Sequence, residues 1–145
     1  MDLSAMFAGP QIDAMHARLK SVADEMGVPF HPREHAPSTK SALAIAEYAR
    51  TQGRLSEWRA AAMDAHWRDG RDIEDHDVLR SLAEDAGLDA DAAIAFLDAP
   101  EVPQLLANQR AEAHNWGVSG IPTWFMLPDG WTPEDGMPES GPKPV

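Results

Sequence analysis

The chain contains no cysteine. That absence excludes disulfides, thiolate nucleophiles and zinc sites built on cysteine. Basic residues are also few, 12 against 24 acids in 145 residues, and the formal net charge is −12. Such a chain repels a phosphate backbone, so nucleic acid is not an expected partner. The acids are spread along the chain and not gathered in a tail, as on a solvated acidic surface. No apolar run approaches the roughly 18 residues that a membrane-spanning helix needs, so no membrane partner is expected. Asp2, the lack of any Lys or Arg before Arg18 and the lack of a sustained apolar stretch argue against a secretory signal. A cytoplasmic location is therefore expected. Gly-x-Gly-x-x-Gly, a phosphate-binding loop and a nucleophile elbow are all missing.

What remains is the composition of an ordinary globular domain, 43% hydrophobic and 25% charged, and long enough for a real core. Ile12, Met15, Leu19, Val22 and Met26 alternate at spacings of three and four, which places them on one face of a helix over 11–27. Pro10 suits its first turn and Gly27 its exit. Val28-Pro29-Phe30 reads as a brief strand, and 31–38, with Pro32 and Pro37, as loop. Thr39 is placed to cap a helix over 40–52 whose apolar residues surround most of its circumference, the pattern of a buried helix. Ser56 is the expected cap of a third helix, with Trp58, Ala62, Ala65 and Trp67 on its apolar side. Asp75 and Asp89 cap a fourth and a fifth, and a sixth begins near Pro103 and stops at Gly117. Gly53, Gly70 and Gly87 end the helices between.

The character then changes. Residues 118–127 read as a turn followed by a strand of aromatic and β-leaning residues. Residues 128–145 hold five prolines and three glycines in 18 positions, and no regular element is expected there. One or two strands do not make a stable sheet, so either they add marginally to a helical bundle or the sheet draws on strands outside this chain.

Four short features invite chemistry. His31-Pro-Arg-Glu-His35 matches a zinc-peptidase pattern, but that chemistry needs a helix, which Pro29, Pro32 and Pro37 oppose; a polar surface loop is the better reading. His66–Trp67 and His114–Trp116 end helices, where core packing outweighs an aromatic ligand site. Ser119 is a common turn residue with no evident histidine partner.

Gly70-Arg-Asp-Ile-Glu-Asp-His-Asp-Val-Leu79 followed by Leu82-Ala-Glu-Asp-Ala-Gly-Leu-Asp89 resembles the helical segment of DsbA-like proteins of the FrnE and 2-hydroxychromene-2-carboxylate isomerase branch. Gln109-Arg-Ala-Glu-Ala-His-Asn-Trp-Gly117 leading into Val118-Ser-Gly-Ile-Pro-Thr123 is similar to that family's approach to its cis-proline loop. The resemblance covers residues 11–126. It implies an α/β, helix-dominated chain: a thioredoxin-like fold with an incomplete core and an inserted helical domain. The division it implies is a first core helix, short strand and loop over 1–38, an inserted helical domain over 39–117, the cis-proline loop and core strand over 118–127, and a Pro/Gly-rich tail over 128–145. Pro122 takes the place of the cis-proline, and Gly120, Ile121 and Pro122 become the expected substrate-binding residues. Ile121 would offer backbone N–H and C=O groups to an extended peptide, as in strand addition. A plain strand-start proline fits the same residues.

The family's Cys-x-x-Cys helix has no counterpart here, so no catalytic residue carries over. The resemblance implies a thiol–disulfide oxidoreductase-like protein of which this chain is a truncated member without the redox cysteines. The intact protein would exchange disulfides, or isomerise a small aromatic substrate with glutathione, and glutathione rests on the resemblance alone. The alternatives are a cysteine-free protein that binds a peptide or small ligand, and a structural subunit completed by dimerisation.

Overall fold

A computed structural model describes residues 9–32, 35–121, 123–126, 129–130 and 143–144. It divides into two compact units, Met1–Val102 and Pro103–Val145. The first holds α1 (Gly9–Met26), α2 (Lys40–Thr51), α3 (Leu55–Met63), α4 (His76–Asp85) and α5 (Ala90–Phe96). α6 (Val102–Asn115) leads into the second unit, which carries β1 (Phe125–Met126) and β2 (Lys143–Pro144). The helix-dominated architecture expected from the sequence is the one observed. The compact division falls between 102 and 103, at the start of α6.

The core of the first unit is built by α2, α3, α4 and α5. Ile45, Ala49, Trp58, Leu79, Leu82, Ala83 and Ala93 are buried at its centre. Alanines dominate α2 and let the other helices approach it closely, while Trp58 fills the space that those small residues leave. The indole Nε1–H of Trp58 donates to the Ala42 carbonyl oxygen at 3.1 Å, so the one polar atom of this side chain is satisfied inside the core. α2 is less enclosed than its composition implied, because Leu43 is half exposed. Tyr48 and Phe96 extend the core with rings 5.7 Å apart.

The helix boundaries follow the expected punctuation closely. Gly27, Gly53, Gly70, Gly87 and Gly117 all have positive φ. Asp75 accepts from the Asp77 backbone N–H at 2.8 Å and Asp89 from that of Ala92 at 3.0 Å, each satisfying a donor that the first turn leaves unpaired. Replacing either by Ala should lower stability by about 1 kcal/mol, read as a reduced urea midpoint with an unchanged slope.

Other expectations need correction. Thr39 stands before α2 but makes no side-chain cap bond, with a φ of −90° and a ψ of 3° in place of extended backbone. Arg54, not Ser56, is the residue at the start of α3. Val28-Pro29-Phe30 is not a strand. Val28 N–H bonds back to Ala23 O at 2.8 Å to close α1, and the main chain is next held where His31 N–H donates to Trp67 O at 2.7 Å. Lys143–Pro144, within the segment expected to carry no regular element, pairs antiparallel with β1. Lys143 keeps both of its backbone groups, and the missing N–H of Pro144 limits the pair to a short edge.

α1 itself is unusual. It is 18 residues long, yet it packs extensively on no other described element. No helix among the described residues is long and apolar enough to cross a membrane.

Candidate functional site

The second unit contains the turn that follows the sixth helix. α6 ends at Asn115, and the N–H groups of Gly117 and Val118 bond back to His114 O and Ala113 O at 2.9 and 3.0 Å. This double closure needs the left-handed backbone that Gly117 supplies at φ 76°. The chain then leaves the helix as an exposed bend. Thr123 Oγ1 donates to Gly120 O at 2.5 Å and braces the bend from inside. Ile121 is 93% exposed, and no hydrogen bond joins its backbone to another described residue. A Cβ at Gly120 would meet no described residue within 4 Å. Pro122, and with it the expected cis peptide bond, lies outside the described residues. Trp124 and Met126 are exposed beside the bend, while Phe125 turns inward and meets Trp116 edge to face at 5.7 Å. The turn therefore sets the exposed backbone at Ile121 beside the Trp116–Phe125 ring pair.

The first unit contains a feature that the periodicity did not reveal. α3 runs directly into a π-helical turn, Asp64–Arg68, in which Asp69 N–H reaches back five residues to Asp64 O at 3.0 Å. Such turns are rare and recur at functional sites. Here the turn carries Trp67 outward. The expectation that Trp67 shares the core face with Trp58, Ala62 and Ala65 is not met: two residues beyond Ala65 is about 200° around a helix, and Trp67 stays 43% exposed. Phe30 stacks on it, with ring centres 5.9 Å apart and planes within 19°. His66 meets the same indole edge-on at 4.5 Å. Together with Ala23, Val28, Pro29 and Met63 the stacked pair lines an open groove of about 370 Å³, which the Arg68–Asp64 ion pair, 3.0 Å long, borders on one side. The groove is open to solvent and its lining is largely apolar.

The histidine pair of the zinc-like motif divides between two partners. The His31 ring lies against Gly70, and His35 Nε2 sits 3.3 Å from Glu74 Oε2. Arg33 and Glu34 lie outside the described residues. Glu74 also accepts from the Ser38 backbone N–H, and that bond, with the His35 contact second, holds its carboxyl below the usual carboxylate range. This is a clip between two loops. No group of three or more His, Asp or Glu side chains suited to a metal occurs among the described residues. Ser119 is exposed.

The order of these parts, a helical block, a glycine-stopped helix, an open bend and a strand, matches a known family. The family model of the DSBA-like thioredoxin domain covers residues 2–139. The chain belongs to this family. A DsbA-like thioredoxin fold thus accounts for the helix-rich segment and the strand that follows it. A protein of Sphingobium xenophagum named 2-hydroxychromene-2-carboxylate isomerase is 36% identical over 118 residues, which cover 81% of this chain and 60% of that protein. The chain therefore spans about 60% of the length of this curated relative. Within the DsbA-like family a polypeptide with no cysteine can supply no redox pair of its own.

Proposed function

We propose that this chain serves an isomerase-type reaction of the DsbA-like family, in which a small peptide thiol of the glutathione class is held at Gly120–Ile121–Pro122 and the chain itself exchanges no disulfide. The observation that carries the reading is the exposed bend at Ile121, whose N–H and C=O are joined to no described residue in a chain that has no thiol. Peptide backbone groups of glutathione fit such a bend by strand addition, and the thiol would supply the nucleophile that no cysteine of this chain offers. The substrate class proposed is a small aromatic carboxylate, in line with the name of the Sphingobium relative. The setting proposed is cytoplasmic, where glutathione stands reduced.

Binding is measurable without knowing the substrate. Trp124 is exposed close to the bend, so its emission should change as reduced glutathione is added, with saturation at about 1 mM or below. Ile121→Pro removes the N–H donor and should abolish the change, whereas Ile121→Val should retain it. No titration in the wild type, or an unaltered one in Ile121→Pro, would reject the reading.

The groove favours a second reading, a cysteine-free protein that binds a small aromatic ligand in the groove beside the stacked Phe30–Trp67 pair. The two separate cleanly: Trp67→Ala should weaken binding of an aromatic probe at the groove and leave the glutathione titration unchanged.

A further inference from the structure

We propose that the apolar face of α1 is the contact through which two copies of this chain pair, with the two α1 helices antiparallel. Ile12 is buried within its own chain, but the rest of the stripe is open: Met15 is 39% exposed, Leu19 45%, Val22 46% and Met26 72%. A helix with no extensive packing on another described element has little among those elements to hold it, since most helical stability in proteins comes from burying an apolar face.

The spacing identifies the occupant as another helix. Residues 12, 15, 19, 22 and 26 follow the 3-4-3-4 alternation of a coiled-coil seam, with 12, 19 and 26 at the first core position of each heptad and 15 and 22 at the second. The flanking charges identify that helix as a second α1 running the opposite way. Arg18 and Glu25 occupy equivalent flanking positions one heptad apart on the same edge of the stripe. Antiparallel pairing sets Leu19 across from Val22 of the partner copy and Met15 across from its Met26. It also sets Arg18 beside the partner's Glu25 and Glu25 beside the partner's Arg18. The contact is therefore reciprocal, as two-fold symmetry requires. Parallel pairing sets Arg18 against Ala23 and loses both attractions. Neither Arg18 nor Glu25 forms an ion pair among the described residues. In a chain of net charge −12, whose copies repel one another overall, such a paired edge also selects one register.

Sedimentation equilibrium at about 100 μM chain, above the micromolar dissociation constant that a short seam supports, tests the pairing. The expected mass is twice the 15.8 kDa of the chain. Leu19→Lys should give the monomer mass. Arg18→Glu and Glu25→Arg each turn two attractions into two repulsions and should weaken the dimer about tenfold, by the size of exposed ion-pair energies. The combined exchange should restore it to within about twofold. These two positions are exposed and leave the core untouched, so the series does not depend on a core variant folding.

Because the chain has no cysteine, introduced ones are clean probes. A mixture of Leu19→Cys and Val22→Cys chains under a mild oxidant should give the mixed disulfide in preference to either like pair. A monomer at this concentration overturns the proposal and leaves the α1 face to a different partner or chain segment. So does a dimer indifferent to Leu19→Lys, single exchanges without effect, a double exchange that fails to restore pairing, or preferred like-pair cross-links.

Discussion

Trp58→Ala should destabilise the chain by about 4 kcal/mol, the largest effect expected of any single truncation. The side chain is 1% exposed and is the largest of the fully buried ones. It sits where α2, α3 and α4 converge, among alanines that cannot grow to fill the space. Removing it leaves a cavity walled by helix backbones, which collapse only partly. It also removes the 3.1 Å bond to Ala42 O. Against a total stability of about 5–15 kcal/mol the loss approaches the whole in the least favourable case. In a chain of this size it should lower the melting midpoint by roughly 10–15 °C. Trp58→Phe separates the two contributions. It keeps most of the buried ring and loses the donor, so a cost of about 1–2 kcal/mol is expected. Urea unfolding of both variants checks the ordering. A Phe variant as unstable as the Ala variant would show that the hydrogen bond, and not the volume, governs this site.

Gly70→Ala should cost about 2 kcal/mol, the second largest effect, and for a different reason. Gly70 ends the π-helical turn at φ 65°, where a side chain is strained whatever space surrounds it. A Cβ there would lie 2.6 Å from His31 Cδ2 and 2.9 Å from His31 Cγ, so the whole imidazole ring would have to swing away. The backbone of His31 is tied to Trp67 O, which leaves the ring as the part that must move. The strain therefore reaches the groove, because the same short loop carries Phe30 onto Trp67. Gly70→Ala should shift the Trp67 emission as well as lower stability. His31→Ala in the same chain should recover the part due to the clash and leave about 1–2 kcal/mol from the backbone angle. If His31→Ala recovers nothing, the ring moves freely and only the backbone angle matters.

Much of the helical segment was legible from residue order. Asp75 and Asp89 cap their helices through short-range bonds that depend only on the next two or three residues, and the helix-ending glycines act through their own φ. Local chemistry of this kind is complete in the sequence. Thr39 shows its limit, since a residue of the right type stands in the right place and makes no cap bond, the chain reaching it from the Glu74 clip in a different conformation. The candidate site was legible in part. The run Val118 to Thr123 pointed to the open bend through family resemblance, and the structure adds that Ile121 is exposed there. The groove was not legible, because Phe30 and Trp67 are 37 positions apart and a π-helical turn leaves no periodic trace.

The stripe on α1 marks the boundary most clearly. Periodicity relates each residue to the axis of its own helix, so order alone determined that Ile12, Met15, Leu19, Val22 and Met26 share a face. It also determined that no thiol chemistry arises within this polypeptide. What lies opposite a face depends on contacts between segments distant in sequence. Only the tertiary structure decided that the equivalent face of α4 is buried while that of α1 stays open. It alone decided that Trp58 fills the core while Trp67 opens a groove.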